Sequence, residues 1–166
     1  QDHGGFSMLE VMIGVFLLVV GMVAAISLLS AGLGNSMDSR NQTIAGFLSQ
    51  EGAELVRNIR DTNWIVGNGT FDHITTGNNC RIDKDYSYPT YLECGMPANN
   101  LALRLDGNNF YTHSGALATK FSRKLIIADL PNNEKKITSE VVWGGVFPAS
   151  IAACNTKNKC AYSEVT

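Results

Sequence analysis

The chain has 166 residues, a formal net charge of -2 and a hydrophobic content of 45%, enough for one compact domain of ordinary size. That charge gives no electrostatic support to nucleic acid as a general partner, and Arg123 with Lys124 and Lys135 with Lys136 are the only adjacent basic pairs. The apolar residues are unevenly spread: a large share lies between positions 6 and 33, which leaves a modest remainder for a soluble core.

The first predicted element is a membrane-spanning helix. Residues 11–33 read VMIGVFLLVVGMVAAISLLSAGL, without a charge. These roughly 23 residues, rising about 1.5 Å each, cover about 35 Å, against a hydrocarbon core of about 30 Å. A core helix of a soluble protein this small is rarely apolar all round for so long. A cleaved secretory signal has a shorter apolar region followed by a small-residue cleavage site. An ordinary signal anchor fits the hydropathy equally well, so the discriminating residue is Glu10, at the segment's edge. A carboxylate there costs a few kcal/mol to bury unless it is neutralised or paired. It either sits among headgroups near a helix N-terminus, or it meets a positive charge delivered into the membrane.

Residues 4 to 14 read Gly-Gly-Phe-Ser-Met-Leu-Glu-Val-Met-Ile-Gly. This stretch resembles the cleavage and methylation motif of type IV pilins and type II secretion pseudopilins. In that family a polar leader ends in Gly, followed by Phe, apolar residues and Glu at the fifth mature position. Gly5 matches the last leader residue, Phe6 the first mature residue and Glu10 the fifth. The resemblance implies cleavage between Gly5 and Phe6 by a prepilin peptidase/methyltransferase, with N-methylation of Phe6. It assigns Glu10 an assembly role, neutralising the freed amine of a neighbouring subunit. The implied partners are other pilin subunits in a helical filament, an inner-membrane assembly platform and membrane lipid, with no specific nucleic acid. The implied location is the cytoplasmic membrane, single-pass with the head extracytoplasmic, then a surface pilus or periplasmic pseudopilus. Family leaders carry Lys or Arg; the sequence begins at Gln1 rather than Met, and such residues are expected upstream.

Residues 35–62 continue the helix as an amphipathic half. Ile44, Phe47, Leu48, Leu55 and Ile59 form its apolar spacing, while Arg40, Gln50, Glu54 and Arg57 occupy other faces. Gly32, Gly34, Gly46 and Gly52 are poor helix residues, each costing up to about 1 kcal/mol relative to Ala, and are read as points of bending. The charged stretch 50–61 also looks like the end of the long helix in pilin-like proteins.

From position 63 the chain is expected to form a head, loop-rich to about residue 100. Leu101, Leu103 and Leu105 then alternate, as do Phe121, Arg123, Leu125 and Ile127, and Ile137, Ser139, Val141 and Trp143. Turn-forming stretches at 106–109 and 131–134 separate them, the pattern of an antiparallel meander. The expected fold is α+β: a leader at 1–5, a transmembrane or filament-core helix at 6–34, the amphipathic half at 35–62, and a head at 63–166. Helix packed on a small antiparallel β-sheet is the arrangement of the pilin fold.

Cys80, Cys94, Cys154 and Cys160 make an even set in a domain expected to be exported, which reads as two disulfides. Three connectivities are open; the favoured one pairs Cys80 with Cys94 and Cys154 with Cys160, closing short loops worth about 2–4 kcal/mol each. Neither spacing matches the C-x₂₋₄-C of zinc sites. His3, His73 and His113 have no evident ligand set, Asp83 and Asp85 fall short of a calcium loop, and Ser114 lacks a nucleophile-elbow setting. No metal, cofactor or enzymatic activity is expected. The expected function is a structural pilin or minor pilin. The alternatives are a minor pseudopilin of a type II secretion system and a membrane-anchored binding domain that never polymerises.

Overall fold

The computed structural model describes residues 5, 7–83 and 92–166. One helix, α1, runs Met8–Val66 and is followed by six strands: β1 Gly77–Cys80, β2 Ala102–Leu105, β3 Tyr111–Thr112, β4 Leu117–Leu130, β5 Glu134–Trp143 and β6 Cys160–Val165. The chain divides into two compact units, Gln1–Arg40 and Asn41–Thr166. In the first unit every described residue is exposed, including the large apolar side chains from Met8 through Met37. The helix is uninterrupted through Gly32, Gly34, Gly46 and Gly52, and Ser27 turns its hydroxyl back to the Val23 carbonyl at 3.0 Å, which satisfies the one polar group it brings into the apolar run.

The second unit is a helix packed on an antiparallel sheet of order β3-β2-β4-β5-β6, with β1 also pairing β4. The long β4–β5 hairpin is its spine, in register from Phe121↔Trp143 to Leu130↔Glu134. β2 pairs the first half of β4, with Leu105 opposite Leu117, and β1 pairs farther along, with Gly77 opposite Ile127. Phe121, Arg123, Leu125 and Ile127 alternate inward on β4, and all four are buried. β5 is buried on both faces from Ile137 to Trp143. Its Ile137 and Val141 join the core beneath the helix, while Val142 packs with Cys154 and Cys160 on the opposite face.

The buried stripe of the helix differs from the expected one. It runs through Asn41, Ala45, Leu48, Ser49, Gly52, Ala53, Val56, Ile59 and Asn63, so Ile44 and Leu55 are half-buried and Phe47 is 67% exposed. Small residues define the stripe because the backbone comes close to the sheet. A Cβ on Gly52 would lie 2.5 Å from Ser139 Oγ and 3.1 Å from Arg123 Cδ. Gly52 is therefore a contact residue, where the sequence alone suggested bending. The helix ends at Val66, past the expected limit of 62, at Gly67 with φ +81°, the left-handed conformation that favours glycine after a helix. Asn63 fastens the next loop, donating from Nδ2 to the Asp72 carbonyl at 2.6 Å.

Two predictions follow from the stripe. Gly52→Val forces the helix off the sheet and lowers unfolding stability by about 1–3 kcal/mol. Gly46→Ala, with open space around its Cβ, is neutral or stabilising by up to about 1 kcal/mol. Urea unfolding in neutral detergent, followed by fluorescence of the buried Trp143, measures both; equal midpoints for the two variants would refute the close-contact role of Gly52.

Candidate functional site

The start of α1 is built by Ser7. Its carbonyl accepts the N–H groups of Glu10 at 3.0 Å and Val11 at 3.2 Å, which makes Ser7 the N-cap and Glu10 the third helical residue. Ser7-Met8-Leu9-Glu10 thus has the spacing of a capping box, a signal that was legible in the sequence and absent from the reading above. Glu10 is the acidic residue of the first turn, where unpaired amides favour negative charge by about 0.3–1 kcal/mol. Glu10 is exposed, and so is Gly5, with no atom within 4 Å of a Cβ placed on it. The fold of the chain accordingly places no demand on glycine at position 5. Phe6 lies outside the described residues, as do His3 and Asp85.

After Glu10 the next charged residue is Asp38. The helix is long and apolar enough to cross a membrane by length and composition. Gly5, Glu10 and the charge-free segment are therefore contiguous, and the four cysteines lie apart from them in the second unit.

The structure contains two disulfides, Cys80 with Cys94 and Cys154 with Cys160. The first ties β1 to the segment that bridges back through Arg81 and Glu93. The second closes a short loop over the outer face of β5. There the Cys160 sulfur lies 3.4 Å from Glu140 Oε1, and the Glu140 carboxylate is held by Lys124 at 2.9 Å. Glu140, Cys154 and Cys160 form a buried cluster of metal-ligating types. The sulfurs are bonded to each other and the carboxylate to an ammonium, so the cluster is packed as a disulfide on an ion pair.

A second polar cluster escaped the sequence because its members are far apart. Arg123, almost wholly buried beneath the helix, donates from Nη1 to the Leu48 carbonyl at 3.2 Å and from Nη2 to the Ile82 carbonyl at 2.9 Å. Glu51 supplies a carboxylate oxygen 3.4 Å away. Burial lowers the Arg123 pKa, against the raising influence of Glu51 and Asp83. Beside it, His113 donates its main-chain N–H to Asp83 Oδ1 at 2.7 Å, and ring Nδ1 lies 2.7 Å from the same oxygen. The ring's Nε2 faces the Arg123 carbonyl at 3.4 Å. With both nitrogens turned to these acceptors inside the fold, the pair has the geometry of a structural clamp. Among the described residues, the His113 ring faces the Asp83 carboxylate and the Arg123 carbonyl.

Burial raises the Asp83 pKa, but the hydrogen bond and charge of His113, its amide and the charge of Arg123 outweigh this and hold Asp83 below its ordinary 3.8. A carboxyl depressed on folding stabilises fully above its unfolded value, and that contribution is lost as pH falls through the folded one. Asp129 and Glu164 are lowered as well, by Lys135 and Lys136 first. Asp83→Asn is therefore expected to remove part, and only part, of the stability lost on acidification from about pH 5 downward. Urea midpoints across that range test this; a slope unchanged in the variant would sink the assignment.

No family model matches the chain, and neither curated proteins nor solved structures give a match.

Proposed function

We propose that the chain is a structural subunit, a pilin or minor pilin, of a type IV pilus-like filament. The observation that carries the reading is the contiguity of Gly5, Phe6 and Glu10 with a helical stretch, residues 11–37, that carries no charge and is exposed throughout. Prepilin peptidase cuts after Gly5, where the absent side chain leaves an extended backbone accessible to a protease cleft, and the new amine of Phe6 is methylated. The helix then rests in lipid until neighbouring copies of the same helix replace the lipid around it. Glu10 is its one ionisable group before Asp38. In a medium where an unpaired carboxylate is costly, the cationic amine of an adjacent copy is the group that satisfies it. The disulfide-closed second unit is the part displayed outside the membrane, and no catalytic step is assigned to it.

Two measurements test this. Intact-mass and N-terminal peptide analysis of protein from native membranes or sheared filaments is expected to give a mature terminus at Phe6 carrying one methyl group. An unprocessed terminus would reduce the chain to an anchored extracytoplasmic domain. Glu10→Gln separates capping from charge, since Gln satisfies a capping box as Glu does. The variant is expected to insert normally and to reach filaments about ten-fold less, or worse. Wild-type incorporation of it would leave Glu10 as a helix cap alone.

A further inference from the structure

Within the second unit, α1 ends on an apolar group that the unit leaves uncovered. The buried stripe of the helix stops at Asn63. The next three residues, Trp64, Ile65 and Val66, are 78%, 81% and 61% exposed. Three consecutive large apolar side chains at the surface mark an interaction site, as scattered single ones do not.

One turn back along the helix is a cavity of about 410 Å³, with room for a large side chain. Its apolar lining is Val56, Ile74 and Ile137, which are buried, and Phe71 and Val165, which are half-buried. Arg57 and Arg60 line it from the helix. Positions 57, 60 and 64 are spaced i, i+3 and i+7, so Trp64 stands on the same helix face as the two arginines. Its ring is nevertheless left outside, since Trp64 does not line the cavity.

The cations of the lining are already neutralised. Arg57 Nη1 lies 2.6 Å from Glu54 Oε1, Arg60 Nη2 lies 2.9 Å from Asp61 Oδ1, and Lys135 is held by Asp129. An ionic ligand therefore finds no free cation there. The pairs engage the edges of the guanidinium groups, whose planar faces remain able to stack on an aromatic ring. Apolar walls with guanidinium faces beside them suit an indole.

We propose that the cavity receives Trp64 of a second copy of this chain, in an isologous contact in which each copy's ring enters the other's cavity. A projecting ring and a cavity side by side on one face are self-complementary under a two-fold axis, which seats both rings at once. A head-to-tail contact would need the two features on different faces. One aromatic anchor in a pocket on each side, flanked by Ile65 and Val66, makes a small and transient interface. A helical filament uses head-to-tail contacts, so this two-fold contact stands or falls apart from polymerisation.

Sedimentation of the full chain in neutral detergent, over a range of protein concentrations, tests this. Wild type is expected to pass from monomer to dimer. Iodide quenching of tryptophan fluorescence falls in step, because Trp143 is already buried and Trp64 becomes so. Trp64→Ala removes an exposed side chain and is expected to melt with wild type, yet to dimerise about ten-fold more weakly or worse. Val165→Phe narrows the cavity and is expected to weaken dimerisation likewise. Mixing the two variants restores one ring-to-cavity contact, so mixed dimers are expected above the level of either variant alone. A wild type that stays monomeric overturns the proposal. So does wild-type association in Trp64→Ala, the mark of contact through the apolar helix, or a mixture no more associated than its components, the mark of rings stacked on each other. Trp64→Ala decides alone if Val165→Phe melts early.

Discussion

The described residues of the first unit leave their apolar surface uncovered. A helix that is hydrophobic all round and packs one face on a partner still leaves the apolar surface of its other faces in water. At about 25 cal/mol per Å², the exposed side chains from Met8 through Met37 make an isolated, hydrated helix untenable. Lipid can cover such a surface, as can several copies of the same helix. The proposed life of the subunit as membrane protein first and filament component second uses each in turn. Glu10 is compatible with both because its place in the first helical turn lets the backbone amides help carry its charge before any partner arrives.

Within the second unit the controlling feature is the close approach of helix to sheet at Gly52. Leu48, Phe121, Val141 and Trp143 pack in one apolar cluster, and Val56, Ile59, Leu125 and Ile127 in another. Arg123 lies in strand order between Phe121 and Leu125, reaching the Leu48 carbonyl on the helix and the Ile82 carbonyl on the loop that leads to Asp83. The Ile82 carbonyl lies outside helix and strand, and the Leu48 carbonyl takes the guanidinium in addition to its place in the helix. The guanidinium thus joins three elements through groups that hydrophobic contact alone could not hold, with Glu51 and Asp83 offsetting its charge.

What the sequence disclosed follows the range of its periodicities. The helix, the alternating strands at 101–105, 121–127 and 137–143, and the α+β arrangement were legible because each rests on a repeat of two or about 3.6 residues. The disulfide partners were favoured by proximity, and the structure contains those two bridges. The helix face was misplaced at Phe47 because a search for large apolar residues overlooks a stripe built from Ala45, Gly52 and Ala53. Two-residue β3 has no period to detect, and β1, with sequence Gly-Asn-Asn-Cys, has none of the usual strand formers. His113 and Asp83 are thirty positions apart, and only the folded sheet brings them within 2.7 Å. Arg123 sat in an apolar alternation as an apparent exception; its inward phase was correct, and the buried carbonyls it serves were invisible.

The two units place opposite demands on charge. Residues 11–33 carry no charge, as a segment in lipid requires, and under the proposed function Glu10 is the group that pairs with a neighbouring copy. The second unit keeps many ions, and most pair within it: Lys124 with Glu140, Lys136 with Glu164, Arg57 with Glu54. The exposed ones, Lys136 with Glu164 and Arg57 with Glu54, contribute little to stability, but all of these pairs leave little charge to act at a distance.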